Sequence, residues 1–288
     1  MDQRLRSAPT VMALLVVAAL LQGCASAPKP TARGIADQKP MTTLRDEPFA
    51  QTERFVDVAA VLAARTAAPP TVRVADGALG EGVTAAQGAL VANRAARDVC
   101  AGMARHFRFD DADPDLRVEL VVTAIRPTSS AAAGASAVPG VFVPGPFRLP
   151  AGLGGFAADG VARRGDEAVL LLHWAEGAGA ITEDAKVSSI GDAYQLANEF
   201  ADDLVDGLVD PRGRDGDTRA RVDDETRAAN EAVCLARFGR ASVAGRGASI
   251  LLPLSPEAID AGAPTAADRD DDEADVPADA ADPVDPPG

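Results

Sequence analysis

Between Leu116 and Ile125 the chain alternates. Leu116, Val118, Leu120, Val122 and Ala124 are apolar, and Arg117, Glu119 and Thr123 stand between them. Successive side chains of a strand point to opposite sides, so this run reads as a strand with one buried face. Asp166 to Glu176 repeats the pattern, with Ala168, Leu170, Leu172 and Trp174 on one side, and Thr71 to Val74 is a shorter candidate. A half-apolar sheet must be covered, and helical segments are available to cover it. Thr84-Ala85-Ala86-Gln87 has the form of a capping box, in which the threonine and glutamine side chains bind each other's backbone donors. The helix behind it sets Ala86, Leu90, Ala96, Val99, Cys100, Met103 and Phe107 on one stripe and stops at Asp110-Asp111-Ala112-Asp113-Pro114. Ser189-Ile190-Gly191-Asp192 opens a second helix with Ala193, Leu196 or Ala197, Phe200, Leu204 and Leu208 inward, Asp202, Asp203 and Asp206 toward solvent, and a stop at Pro211. Asp223 or Asp224 caps a third, which runs to Phe238 and carries Cys234. Phe49 to Ala64 reads as a short amphipathic helix through Phe55, Val58, Ala59 and Leu62, and Ala248 to Leu254 as a last strand. Aromatic residues make up 4% of the chain, so the core is built mainly from small and aliphatic side chains.

The first residues concern compartment. Arg4 and Arg6 precede an unbroken apolar run from Val11 to Leu21, too short to span a bilayer, which takes about 20 residues, but of the length of a signal-peptide core. The run ends in Leu21-Gln22-Gly23-Cys24. These four residues resemble the lipobox of bacterial lipoproteins. That resemblance implies removal of residues 1–23, a diacylglycerol on the Cys24 thiol, and a membrane anchor that leaves the mature chain beginning at Cys24. Ala25 is not the aspartate that commonly retains such proteins in the inner membrane, so the resemblance further implies the outer membrane, facing the periplasm. The alternative is an ordinary secretory signal cut after Ala25-Ser26-Ala27, which also has the small-x-small pattern.

With Cys24 lipidated, Cys100 and Cys234 remain. In an oxidising compartment the pair is a disulfide candidate; the alternative is two separate buried thiols. His106 and His173 show no ligand spacing with either cysteine, so no metal site is expected.

Residues 24–47 are rich in Pro, Ala, Lys, Asp and Thr without sustained period and read as a flexible tether. A domain follows over 48–261. Within it, residues 127–160 form a Gly, Pro, Ala and Ser-rich excursion with apolar residues such as Val138, Val141, Phe142 and Phe147. Such a stretch covers its own domain, touches the membrane or binds a partner. From Gly262 to Gly288 nine acidic residues face one arginine, a net of −8 against −15 for the whole chain. This tail reads as disordered and solvating. The charge argues against nucleic acid, which requires a basic footprint.

No catalytic constellation is evident. The chain has no nucleophile elbow, and Gly152-Leu153-Gly154-Gly155 is followed by neither lysine nor helix. His173 is a candidate general base without a companion, reading more simply as a polar-face or edge residue of a sheet. His106 suits a helix C-terminus. Asp110-Asp111-Asp113 resembles the start of a calcium loop but meets Pro114 and lacks the downstream glutamate, so helix termination is the better account. Glu183-Asp184 is a weak acid pair, and Asp202-Asp203 a solvated helix face.

The order of these elements resembles a family of proteobacterial lipoproteins known as domain of unknown function 3313. The carrying features are the lipobox at Cys24, the helix Thr84–Phe107 leading through Asp115 into Leu116–Ile125, the glycine-rich Gly152–Phe156, and Ile190-Gly191-Asp192-Ala193-Tyr194 opening the helix to Leu208. The resemblance covers roughly 45–210 and implies no catalytic residues and no cofactor. It implies an α+β fold, a small, mostly antiparallel sheet with helices packed on one face, flanked by flexible termini. The expected function is a non-enzymatic envelope module that binds or assembles with a protein partner. The alternatives are a carrier of a lipid or small apolar ligand, lidded by Val138–Phe156, and an envelope hydrolase using His173.

Overall fold

A computed structural model describes residues 27–29, 35, 39–128, 154–178, 188–213, 219–240 and 255–264. In chain order the elements are β1 (Thr42–Glu47), β2 (Ala50–Val56), α1 (Val58–Ala63), β3 (Thr66–Ala67), β4 (Thr71–Val74), α2 (Ala85–Met103), β5 (Arg108–Phe109), β6 (Arg117–Arg126), β7 (Gly155–Arg164), β8 (Glu167–Gly177), α3 (Gly191–Val209), α4 (Asp224–Phe238) and α5 (Pro256–Ile259). Six strands form one sheet in the order β1-β2-β8-β7-β6-β4, and β3 and β5 form a two-stranded parallel pair. Every neighbouring pair in the large sheet is antiparallel except β4 and β6. The fold is α+β, with five helices among the described residues.

The front face of the sheet carries the main core. Leu116, Leu120, Val122, Ile125, Phe156, Leu170, Leu172 and Trp174 lie under α2 and α3, joined by Val99, Met103, Phe200, Leu204 and Leu208. Phe156, Trp174 and Phe200 form an aromatic cluster with ring centroids 5.9 to 6.2 Å apart, in the tilted and edge-on geometry that aromatic quadrupoles favour. The two helices approach closely because Gly102 faces Val205: a Cβ at Gly102 would stand 2.6 Å from a valine methyl. Helix α4 packs behind α2 as a further layer.

Helix starts follow local chemistry, with one exception. The Thr84–Gln87 capping box is formed in full, and Asp223 caps α4 by accepting from the Thr226 N–H at 2.8 Å. Helix α3 is not capped from the preceding Ser189. Its first N–H, of Gly191, meets the Ser188 carbonyl, and its second is met from a distant segment: Thr128 Oγ1 accepts from the Asp192 N–H at 3.3 Å and donates to Asp192 Oδ2 at 2.9 Å. The same buried carboxylate accepts the Gly154 N–H at 2.8 Å. Asp192 thereby joins the described residues on either side of 129–153.

Several expectations are corrected. Residues 49–64 are not one helix but β2 followed by α1, capped by Asp57; Phe55 lies opposite Leu171 in the sheet. Ala86 is exposed. A bulge between Val122 and Ala124 turns Ala124 to the back face and brings Ile125 to the front. A second, between Ala162 and Arg163, leaves Val169 unmatched, so Ala168 points backward. One extra residue reverses every later side chain. Residues 155–160 of the excursion are the start of β7. Asp203 is not simply solvated: it accepts from Trp174 Nε1 at 2.7 Å and pairs with Arg45 at 3.1 Å. Residues 248–254 lie outside the described residues, as does the acidic tail beyond Pro264.

The back face is covered differently. Of the stretch read as a flexible tether, 42–47 is β1, and Ile35 is buried against Val121, Val161, Ala168 and Leu171, with Met41 and Phe55 alongside. Ala27 packs near Ala124, Ala157 and Ala175, and Pro28 is buried against Gly155.

Candidate functional site

Cys24 lies outside the described residues. Cys100 on α2 and Cys234 on α4 are joined in a disulfide, with Cα atoms 5.8 Å apart. It spans 134 residues, and closing so long a loop is worth about 5 kcal/mol in the chain-entropy account. Around it, Asn230 reaches from α4 to the carbonyls of Ala104 and Phe107, and Asn93 donates to the Phe238 carbonyl.

A second clasp holds the chain's later part. Asp260, just past α5, accepts two hydrogen bonds from the Arg97 guanidinium, the first at 3.0 Å, and another from the Tyr194 hydroxyl. Burial pushes the Asp260 carboxyl up, but these donors outweigh it and hold it below its ordinary range. The Tyr194 hydroxyl is pushed up, by burial and by its bond to this carboxylate. Glu257 adds bonds to Gln87 and Ser188.

The back face holds a buried polar pair. His173 on β8 and Asp159 on β7 are cross-strand neighbours, with Nδ1 and Oδ1 2.7 Å apart. The Asp159 side chain is 4% exposed and that of His173 12%. The carboxylate fixes the orientation of the imidazole ring through this bond. Sequence reasoning left His173 without a companion because Asp159 fell within the supposed excursion. The alternation Ala157, Asp159, Val161 against Phe156, Ala158, Gly160 is the signal that would have found it.

His106, at the end of α2, is buried and lines a cleft of about 330 Å³ with Leu62, Ala64, Arg65, Arg219, Ala220 and Val222. Arg219 stacks on Phe107 at 4.1 Å and donates to the carbonyls of Val61 and Ala64, which close α1. Burial lowers its affinity for the proton. Beside the cleft, Asp115 accepts the N–H groups of Arg65 and Thr66, and these bonds hold its carboxyl below the usual range. These bonds close turns and helix ends, which makes the cleft a seam between α1, α2 and the segment before α4.

The acidic clusters resolve into local structure. Asp110 accepts from the N–H groups of Ala112 and Asp113, and Asp111 pairs with Arg237 at 2.7 Å. Among the described residues no group of three or more His, Cys, Asp or Glu is placed to hold a metal ion. No described helix is long and apolar enough to cross a membrane. Glu183-Asp184, Gly152-Leu153 and Val138–Leu153 of the supposed lid lie outside the described residues.

What these features define is an α+β domain with a two-helix front layer, to which a later helical segment is fastened by a disulfide and a buried carboxylate. The chain belongs to the family described as "protein of unknown function (DUF3313)", which it matches over residues 44–204, more than half its length. Both clasps attach segments that follow the matched region to helices within it. Among solved structures it is similar to the PelC dodecamer from Paraburkholderia phytofirmans and to a leucine-to-methionine variant of that dodecamer. Each is 10% identical with a TM-score of 0.34, over 55% of this chain and 96% of that one. Among curated proteins none matches this chain in sequence.

Proposed function

We propose that the protein is a bacterial envelope lipoprotein, anchored to the outer membrane through a lipid on Cys24 and facing the periplasm. Its α+β domain serves there as a non-catalytic module that binds or assembles with another envelope protein. The observation that carries the reading is the Cys100–Cys234 disulfide, because such a bond persists in oxidising compartments and is rare in the reducing cytosol. It accounts for two of the three cysteines and leaves Cys24, at the end of the apolar run, as the thiol available for acylation. Labelled palmitate is expected to enter the full chain in a bacterial host and to be lost in Cys24→Ala, which also leaves the membrane fraction. A variant that stays with membranes and keeps the label rejects the anchor. For the partner, crosslinking in whole cells should trap a defined envelope protein; a chain that remains monomeric and uncrosslinked counts against assembly.

A second reading, an envelope hydrolase, has one observation in its favour, the Asp159–His173 pair. If the pair serves catalysis, His173→Ala abolishes hydrolysis of a model ester while leaving the fold intact. Absence of any esterase activity in the parent chain rejects this reading.

A further inference from the structure

We propose that the β1–β2 turn, with Phe49 at its tip, sits in the lipid surface, so that the domain lies flush on the membrane instead of swinging on a tether. This rests on the Cys24 anchor argued above. The geometry begins at Ala27, whose N–H donates to the Pro48 carbonyl at 2.8 Å and whose carbonyl accepts from Arg126 Nη2 at 3.1 Å. Pro28 is buried beside Gly155. The chain is therefore fastened to the domain three residues after Cys24. Three residues span at most about 11 Å. The point where Ala27 meets the turn is thus held within that distance of the lipidated cysteine, whose acyl chains lie in the hydrocarbon.

The residue next to that point is Phe49, 43% exposed. With Leu44, 48% exposed, it makes up the large hydrophobic side chains left exposed among the described residues, and both belong to this one hairpin. Exposed apolar side chains beside a lipid anchor gain by entering the interface, at about 25 cal/mol per Å² of apolar surface removed from water. The neighbouring charges define the surface. Asp46 and Glu47 flank the turn and oppose an anionic bilayer, whereas Lys29 and Arg126 are cations beside Ala27. The turn therefore suits a zwitterionic surface, entered by its ring and not drawn in by charge.

The test places a tryptophan at the tip. The full chain carrying Phe49→Trp, lipidated at Cys24, is reconstituted into phosphatidylcholine vesicles with or without bromine on the acyl chains. The natural Trp174 is 2% exposed in the front core and serves as an internal reference. The added emission is expected to shift to the blue on reconstitution and to lose most of its intensity with brominated lipid, while the parent chain stays unquenched. Four results overturn the proposal, each in its own way. Water-like, unquenched added emission, with flotation that is lost in Cys24→Ala, rejects the lipid contact but leaves the anchor. Flotation unchanged in Cys24→Ala rejects the anchor reading, and this one with it. Failure of the parent chain to float removes both likewise. A blue shift already present in detergent-free solution without vesicles assigns the tip to a second copy of the chain.

Discussion

The two faces of the six-stranded sheet are both buried, but by different means. The front is closed by α2 and α3, long helices with apolar stripes, over large side chains such as Phe156, Trp174, Leu170 and Leu172. The back is covered by single residues of 27–41 where they are described: Ile35 and Met41 lie on Val121, Val161, Ala168 and Leu171, and Ala27 on Ala124, Ala157 and Ala175, and the same face carries the Asp159–His173 pair. The front is a core of the usual kind, filled by elements that form their own hydrogen bonds. The back depends on Ile35 and Pro28, which belong to no helix or strand and precede β1 in the chain. One sheet thus serves a helix-covered core on one side and, on the other, the docking of the N-terminal segment.

The largest effect should come from the front. Phe200 meets both Phe156 and Trp174 edge-on, and Phe200→Ala leaves a void that such a layer cannot fill. A loss of about 3–5 kcal/mol is expected in denaturant unfolding followed by Trp174 emission. A loss below about 1 kcal/mol would mean that the front is no tighter than the back, and the contrast between the faces would fail. Next comes the layer behind α2. Cys234→Ser should cost about 2–5 kcal/mol, and tryptic fragments from α4 should appear before the sheet unfolds. Simultaneous loss of α4 and sheet would show that the outer layer and the front core are one cooperative unit.

The front was legible in the sequence because α2 and α3 carry apolar residues at helical spacing and β6 alternates from Leu116 to Val122. What was hidden has physical causes. The bulge at Val122–Ala124 adds one residue against its partner strand, and nothing in a run of Val, Thr and Ala marks which residue is extra. The same holds at Val169 in β8. Phe49 to Ala64 showed a helical period because a strand and a short helix happened to abut. Asp115 meets Arg65 and Thr66 across 50 and 49 residues, and Arg219 meets Ala64 across 155, and such contacts leave no local pattern. Ile35 was unreadable for a plainer reason: one apolar residue among Pro, Ala, Arg and Gly has no period, so its burial is decided by the sheet it meets. Cys100 and Cys234 could be paired by compartment, but the Asp260 clasp on Arg97 and Tyr194 could not.

The back-face strap provides the third test. Ile35→Ala removes the buried strap side chain that packs with Val121, Val161 and Leu171, leaving the partly buried Met41. The cost cannot exceed the free energy with which the strap docks, because a weakened strap detaches locally before the domain unfolds. About 2 kcal/mol or less is expected in global stability, below the front-face loss. Trypsin should cut faster after Arg33, since Lys29 and Lys39 are each followed by proline and resist it, while Trp174 emission is unchanged. A global loss as large as that of Phe200→Ala would make the strap part of the main core, and the two faces would no longer differ in kind.

The smallest effect concerns the buried polar pair of the same face, and it separates a structural role from a chemical one. Removing Asp159 alone leaves the His173 ring in a site with little water, which costs more than the hydrogen bond itself contributes. Replacing both by apolar residues of similar size removes the mismatch. In a double-mutant cycle of Asp159→Val and His173→Leu the singles should therefore each be worse than the double, with a coupling of about 1–2 kcal/mol. The double variant should fold, as read by Trp174 emission. If it folds but no longer crosslinks to the partner trapped by the parent chain, the pair has a use beyond holding β7 to β8. The back face would then be a site and not only a surface for the strap. If crosslinking persists, Asp159 and His173 are a buried pair kept for the register of two small-residue strands, where a one-residue slip would place an aspartate among the front-face aromatics.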